Sequence, residues 1–247
     1  MRDLLVRGLV AGVLAGVLAL GFATLVGEPQ VSRAVDIEAQ KARQQAKPEA
    51  PEIVSRTVQK TFGLGTGVLF VGTALGGLFA LAFAVVNGRL SRRRPRAIAG
   101  LVAAAGFCSV HLVPFVKYPA NPPSVGRPET LDYRTELYFV MLAFSVVAMI
   151  GAVLLGRRIV GRVGTWNAAL LGAGAFVVAT AASFVVMPGV DEVPPSFPAS
   201  LLWRFRVASL GTELVLWTAI GLIFGALAEH RLAGERRPAV AAFSATE

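Results

Sequence analysis

Residues 62–86 read FGLGTGVLFVGTALGGLFALAFAVV, 25 consecutive residues without a single charge. A helix that crosses the ~30 Å hydrocarbon core of a bilayer needs about 20 such residues. Buried helices of soluble proteins are seldom so long or so uniformly apolar, and a backbone in lipid must satisfy its hydrogen bonds internally. This stretch therefore predicts a transmembrane helix.

Five further windows of the 247-residue chain share this character. Together the six windows predict helices over residues 4–26, 62–86, 97–116, 137–156, 164–187 and 207–228. Apart from Arg7 near the start of the first, they contain one charged residue, Glu213, although 16% of the chain is charged. We predict an all-α, polytopic integral membrane bundle of six transmembrane helices, a single membrane domain over residues 1–247. Because Glu213 interrupts the last window, five helices is the alternative count.

A cleaved signal peptide is the alternative interpretation of the first window. However, its 19 apolar residues exceed the usual apolar region of about 7–15 residues. The window also runs out into Val26-Gly27-Glu28-Pro29 without a small-residue cleavage pattern. The pattern favours a membrane-spanning first helix.

The basic residues orient this bundle. With the N-terminus inside, the inner segments hold 13 Lys and Arg and 4 acids, whereas the outer segments hold 11 and 10. The short inner loops 87–96 and 157–163 contain five and three arginines and no acid, which is typical of the cytoplasmic side. We predict an N-in/C-in protein of the bacterial inner membrane with proline-rich outer loops and a cytoplasmic tail, residues 229–247. The net charge of +9 is then an orientation signal that faces anionic lipid, not a sign of a nucleic-acid partner.

Two further patterns concern packing. In the outer loop 27–61, apolar residues alternate with charges over 31–43, which predicts a short amphipathic helix on the membrane surface or capping the bundle. Gly8, Gly12 and Gly16 repeat every four residues in the first helix, which permits close backbone approach. This glycine face packs either inside one bundle or against a second copy or partner.

The motifs of several enzyme classes are missing from the sequence. It contains no GxxxxGK[ST], HExxH, GxSxG or CxxC pattern, and its single cysteine excludes a disulfide scaffold. We therefore expect a protein that is not an enzyme and that does not hydrolyse ATP itself.

Three groups of residues are candidates for chemistry. Glu213 lies within a span, where a charge costs roughly 2.5–3.5 kcal/mol at the bilayer centre. It is either a cation or proton site, or a structural acid that is protonated or paired with Arg206 or Lys117. His111, with Cys108 three residues earlier on the same helix face, is either a metal ligand or a packing residue.

The third group consists of polar residues at the predicted outer mouth. They could concentrate cations by their combined field, or they are simply solvated loop residues. The group contains Glu28, Glu136, Asp191, Glu192 and the amide Asn121.

Several stretches resemble the CbtA family of cobalt transporter subunits, and the likeness covers nearly the whole chain. They are GEPQV at 27–31, SRTVQ at 55–59, KYPANPPSVG at 117–126, VPPSFP at 193–198 and LWRFRVASLG at 202–211. The signature residues in them are Lys117, Tyr118, Pro119, Pro122, Pro123, Trp203, Arg204 and Arg206.

The resemblance implies import of cobalt(II) as cargo, without a tightly bound cofactor, in the service of cobalamin biosynthesis. It implies a small, His-rich, single-helix partner subunit, CbtB, while this chain itself has two histidines. Five helices are often given for the family, whereas the charge pattern here favours six. Because Co²⁺ prefers nitrogen and oxygen ligands, the candidate donors are His111, Glu213, Glu28 and Asn121.

Lys117 and Arg204 are poor ligands, and we expect them to fix the loops by pairing with Glu28, Asp191 or Glu213. The alternative function is a non-transporting membrane scaffold that assembles a partner subunit. The scarcity of polar groups within the spans favours that alternative.

Overall fold

The computed structural model describes residues 1–44, 55, 58, 62–88 and 94–244, with side chains described as far as residue 230 except at 44. Most of the predicted loop over 45–61, the arginines at 89–93 and the side chains of the tail lie outside the described residues. Within these ranges the chain is helical nearly throughout and contains no β-strand. The all-α prediction is confirmed.

The described helices follow one another with few interruptions. They are α1 (Arg2–Phe22), α2 (Glu28–Gln44), α3 (Leu64–Val86), α4 (Pro95–Gly106), α5 (Val113–Lys117), α6 (Leu131–Val186) and α7 (Ala199–Ser244). A π turn, Ala23–Gly27, joins α1 to α2, and a second, Phe107–Leu112, joins α4 to α5. A short 3₁₀ turn, Pro128–Thr130, precedes α6.

Five helical segments among the described residues are long and apolar enough to span a membrane. They are Arg2–Arg43, Leu64–Val86, Pro95–Lys117, Pro128–Val186 and Ala199–His230. The sequence predicts six spans because it separates two windows that the structure joins in the single element α6.

Predicted helix boundaries differ from the structure at three places. The first helix does not end before the predicted loop at 27, because the π turn carries it into α2 past Pro29. The last helix begins at Ala199 rather than at 207, because a search for uncharged windows excludes Arg204 and Arg206. These two differences arise from charged or cyclic residues that a helix tolerates near its ends. The third concerns the spans predicted over 137–156 and 164–187: the helix already begins at Leu131, and the basic residues 157–163, predicted as a loop, are helical up to Gly164.

The long element α6 folds back on itself as an antiparallel hairpin. Its 56 residues are interrupted at Gly164, whose φ of 78° and ψ of 167° are available almost only to glycine. On either side, the Met141 sulfur lies 3.6 Å from the Ser183 hydroxyl, and a Cβ added at Gly156 would lie 3.1 Å from the Ala168 carbonyl oxygen. In each pair the two residues lie equally far before and after residue 162, so the two arms run antiparallel.

The chain divides into two compact units. The first comprises residues 1–29, 46–104 and 208–247, and the second comprises 30–45 and 105–207. Each unit has its own packing.

In the first unit, α1 and α3 approach each other at their glycines. A Cβ added at Gly76 would lie 2.7 Å from the Gly12 Cα, and one at Gly72 would lie 3.1 Å from the Gly16 Cα. Such distances leave no room for a side chain, so the helix backbones are in direct contact. The glycine face of the first helix is therefore used inside the chain.

A second contact in this unit joins α7 to α3 and α4. The Phe224 ring packs edge-on against Phe79 and Phe83, with ring centroids 5.2 and 4.9 Å apart. A Cβ added at Gly221 would lie 2.7 Å from the Ala103 Cβ. In this unit α7 thus meets α3 through an aromatic ring and α4 through a glycine.

In the second unit, α2 packs on the loops that precede α6 and α7. Ala34 is fully buried against an apolar cluster, with Ile37 packed beside it. The other members of the cluster are Val125, Phe197, Leu201 and Leu202. The predicted amphipathic helix thus lays its apolar face on other parts of the protein.

Candidate functional site

The second unit gathers many of the signature residues around two proline-rich loops, residues 118–127 and 187–198. A cavity of about 710 Å³, which we call the loop pocket, opens between them. It is lined by Tyr118, Pro119, Asn121, Pro122, Pro123, Val125, Leu131, Arg134, Thr135, Tyr138, Val190, Asp191, Glu192, Val193 and Arg206. Its volume is in the range of ligand-binding cavities.

Lys117 anchors the second loop to the end of α5. Its ammonium donates hydrogen bonds to the carbonyls of Phe184 and Met187, both at 2.8 Å. The last carbonyls of a helix have no partner within it and carry the negative end of the helix dipole, so a cation is stabilising there. The described partners of Lys117 are carbonyl oxygens, whereas the predicted ones are the carboxylates of Glu28, Asp191 or Glu213.

Tyr118 adds to this anchor from the next position. Its hydroxyl donates to the Pro188 carbonyl at 2.8 Å. Lys117 also lies 5.8 Å from the Tyr118 ring centroid, within the range of a cation–π contact. Two adjacent signature residues thus hold the same loop.

Arg206 holds the first loop. Its Nε donates to the Ala120 carbonyl at 3.3 Å, and its Nη2 donates to the Asn121 side-chain oxygen at 3.0 Å. The predicted donor oxygen of Asn121 therefore lies next to a guanidinium, whose positive charge opposes a cation at the same place. The arrangement shows a loop-positioning role for Arg206.

Glu192 connects the two loops. It accepts a hydrogen bond from the Arg127 main-chain N–H at 2.9 Å, and its Oε2 lies 3.5 Å from Arg134 Nε. A hydrogen bond from the Thr130 hydroxyl, then that N–H and the two positive charges, lower the pKa of Glu192 below its ordinary value. The carboxylate is thus held ionised and in place.

Arg134 can reach this position because Gly126 has no side chain. Gly126 has a φ of 97°, and a Cβ there would lie 2.9 Å from the Arg134 Cζ. The guanidinium also donates from Nη2 to the Arg127 carbonyl at 3.2 Å. The glycine at the end of the KYPANPPSVG stretch therefore serves both the turn and the arginine.

His111 lies on the π turn between α4 and α5. Its ring stacks between Phe107 and Phe115, with centroids 6.1 and 5.3 Å away. Cys108, three residues earlier, is partly buried. His111 does not line the loop pocket.

The two predicted acids outside this unit are Glu28 and Glu213, which both belong to the first unit. Glu28 begins α2, immediately after the first π turn. Glu213 lies on α7 one turn before the buried Trp217. The other predicted donors, His111 and Asn121, belong to the second unit.

No group of three or more His, Cys, Asp or Glu side chains capable of holding a metal occurs among the residues that the structure describes. Asp191 and Glu192 are the predicted mouth acids that line the loop pocket, and Glu136 is not among its lining residues. The ligand roles of His111, Glu213, Glu28 and Asn121 stay predictions.

Two more signature residues lie at the start of α7. Trp203 exposes 69% of its surface. Arg204 lines a smaller cavity of about 330 Å³ together with Arg33, Asp36, Ile37, Ser200 and Leu201. Arg204 therefore faces α2, which offers an acid at Asp36.

Sequence reasoning missed one feature of the second unit, a pair of buried serines. The Ser145 hydroxyl on α6 donates to the Ser109 carbonyl in the π turn. Pro114, five residues after Ser109 within an uncharged window, is the signal that could have found it, because a proline inside a helix disrupts main-chain hydrogen bonds.

The fold and these loops define a multi-pass helical membrane protein whose proline-rich loops enclose a pocket. The chain belongs to the CbtA family: the family model described as "Probable cobalt transporter subunit (CbtA)" matches residues 1–229. A transporter subunit is not a class of enzyme. Neither a curated protein nor a solved structure matches the chain.

Proposed function

We propose that this chain is the membrane-spanning subunit of a cobalt importer and that the loop pocket is where the ion enters. The pocket itself is the observation that carries the proposal. Its volume of about 710 Å³ far exceeds the ≈ 30 Å³ share of one water molecule, so it has room for an ion with its hydration shell. Hard oxygen donors such as carboxylates suit a divalent ion that still carries water.

Asp191 is the acid that we assign to the first contact with the entering ion. Glu192 already binds the Arg127 N–H and lies near Arg134, so its charge is largely compensated. The Asp191 side chain accepts a long 3.5 Å hydrogen bond from the Val193 N–H and interacts electrostatically with the Arg206 guanidinium. Asp191 is held by fewer hydrogen bonds than Glu192, so it can turn towards a cation in exchange for its attraction to Arg206.

Uptake of radioactive cobalt tests this proposal. Cells that express the chain with its partner should accumulate cobalt, and Asp191→Asn should lower uptake roughly tenfold at low cobalt concentration, the factor that about 1.4 kcal/mol of lost attraction gives. Glu38→Gln removes an exposed acid from α2 outside the pocket and serves as the matched control. Equal uptake by wild type and Asp191→Asn would contradict the assignment.

We also propose that the chain crosses the bacterial inner membrane six times with both termini in the cytoplasm. The hairpin in α6 supports this count, because its two antiparallel arms each contain one predicted span. The short basic segment near the Gly164 bend supports the orientation. Single cysteines placed near residue 160 and in the loop over 118–127 should react with an impermeant maleimide from opposite sides of the membrane.

The small His-rich, single-helix partner is the third part of the proposal. The word subunit in the family description implies a partner, and this chain brings only two histidines of its own. Co-purification with the product of a neighbouring His-rich reading frame tests it. The scaffold alternative predicts that such a complex forms but that substitution of Asp191, His111 or Glu213 leaves cobalt uptake unchanged.

A further inference from the structure

The π turn Phe107–Leu112 leaves one main-chain carbonyl without a donor from its own helix. The Val113 N–H donates to the Cys108 carbonyl, five residues back, instead of to Ser109. The next nitrogen belongs to Pro114, which carries no hydrogen. Neither the α nor the π register therefore supplies an N–H to the carbonyl of Ser109.

A hydroxyl from the neighbouring helix supplies the missing donor. Ser145 Oγ donates to the Ser109 carbonyl, and it also lies 3.0 Å from the Leu142 carbonyl on its own helix. Ser145 is fully buried and Ser109 is 4% exposed, so no solvent reaches the carbonyl. A buried carbonyl without a donor is costly, which makes this single hydroxyl decisive for the turn.

We propose that Ser145 is the positioning residue that keeps the π turn in its register and thereby places His111. The ring of His111 stacks between Phe107 and Phe115, which lie at the two ends of this turn and just beyond it. Ser145 contributes no ligand to the ion; it acts through the Ser109 carbonyl.

The register of the turn also controls the loop pocket. A π turn contains one residue more than an α turn, and one residue rotates everything beyond it by about 100° around the helix axis. Lys117 lies beyond the turn and holds the carbonyls of Phe184 and Met187. If the turn closed to the α register, Lys117 would face away from them. Ser145 thus couples the register of the π turn to the position of the loop over 187–198.

The single cysteine of the chain provides a native reporter, because Cys108 lies on the turn itself. In the purified full chain, Ser145→Ala should accelerate the labelling of Cys108 by N-ethylmaleimide roughly tenfold, the factor expected from one lost buried hydrogen bond. Ser145→Thr retains a hydroxyl and should restore slow labelling. Ser183→Ala is the matched control, because this buried hydroxyl donates to the Thr180 carbonyl of its own helix at 2.7 Å and otherwise touches the Met141 sulfur, not the π turn.

A double substitution separates positioning from general loosening of the bundle. Pro114→Ala gives residue 114 an N–H that can donate to Ser109 in the π register. In the Ser145→Ala background it should therefore return Cys108 labelling to within about twofold of wild type, as expected for coupled residues. The proposal is overturned if Ser145→Ala labels like wild type, if Ser183→Ala accelerates labelling equally, or if Pro114→Ala does not suppress the effect.

The transport consequence rests on the proposed function, whereas the labelling does not. Ser145→Ala should lower cobalt uptake, and the added Pro114→Ala should restore it. If wild-type cells take up no cobalt above background, the proposed function fails while the labelling still decides the role of Ser145. If wild type transports and Ser145→Ala transports equally well with fast Cys108 labelling, the link from turn to transport is overturned.

Discussion

The two units of this protein emphasise different contacts between their helices. In the first unit, contact comes from the removal of side chains, as where Gly12 and Gly76 bring two helix backbones together. In the second unit, glycines bring the two arms of α6 together, and Lys117, Tyr118 and Ser145 add hydrogen bonds to main-chain carbonyls. Lipid is as apolar as leucine, so close van der Waals packing and hydrogen bonds are what remain to hold helices together.

The difference follows from the backbone of each unit. The α1–α3 contact of the first unit is made by regular helix, whose carbonyls are satisfied internally. The second unit contains the Pro114 π turn, which frees the Ser109 carbonyl, and the end of α6, where the Phe184 and Met187 carbonyls bind Lys117. Donor side chains therefore collect where the helix is interrupted.

The largest expected effect breaks the glycine contact of the first unit. Gly76→Ala should destabilise the protein by about 3 kcal/mol, because the new methyl group would meet backbone that cannot move aside. Thermal unfolding in detergent measures the loss. Gly100→Ala, at a glycine with no atom within 4 Å of an added Cβ, should be neutral or stabilising by up to about 1 kcal/mol. Equal effects at the two positions would refute the backbone contact.

The next effect concerns the bend of the hairpin. Gly164→Ala should cost about 2 kcal/mol, because an L-residue is strained at a φ of 78° and ψ of 167° even where space is open. Gly161→Ala lies in helix three residues earlier, also without close neighbours, and should not destabilise. The same unfolding measurement compares the two variants, and a destabilised Gly161→Ala with an unaffected Gly164→Ala would contradict the bend.

A third test addresses the carbonyl contacts of the second unit. Lys117→Met should cost about 1.5 kcal/mol because it leaves the Phe184 and Met187 carbonyls without their donor. We expect cleavage of the loop over 187–198 by protease to become roughly tenfold faster. Arg158→Gln, an exposed cation on the same hairpin, should leave that rate unchanged.

The smallest effect is a pH dependence at the loops. Because the folded pKa of Glu192 is lowered, its stabilising contribution is present above the ordinary glutamate pKa of about 4.3 and is lost as the pH falls through the lowered value. Glu192→Gln should therefore flatten the acid limb of the unfolding midpoint against pH. Identical acid limbs for wild type and the variant would show that this carboxylate does not couple the loops.

The sequence predicts a helix accurately where the thickness of the bilayer is the only constraint on it. The window at 62–86 matches α3, which begins at Leu64 and ends at Val86, because uncharged length is the only requirement that a bilayer sets. The start of α7 was not accessible in this way. Arg204 and Arg206 interrupt the uncharged pattern, although each has a use in the second unit.

The candidate site was accessible only in part. The proline-rich stretches and their charges indicate where the loops gather, and Asp191 with Glu192 do line one pocket. The partners of Lys117 were not predictable, because carbonyl acceptors have no signature in a sequence. Ser145 has no such signature either. Its role depends on the Ser109 carbonyl, which lies 36 residues earlier in the chain and gets no N–H from Pro114.

The hairpin in α6 also restricts how the length of this protein can vary among its relatives. A Cβ added at Gly172 would lie 3.0 Å from the Ala152 carbonyl oxygen, which continues the register of the Gly156 and Met141 pairs. One inserted residue in either arm would shift every later pair by about 100° around the helix. We expect insertions and deletions in natural variants to concentrate in the segment near Gly164 and to spare both arms.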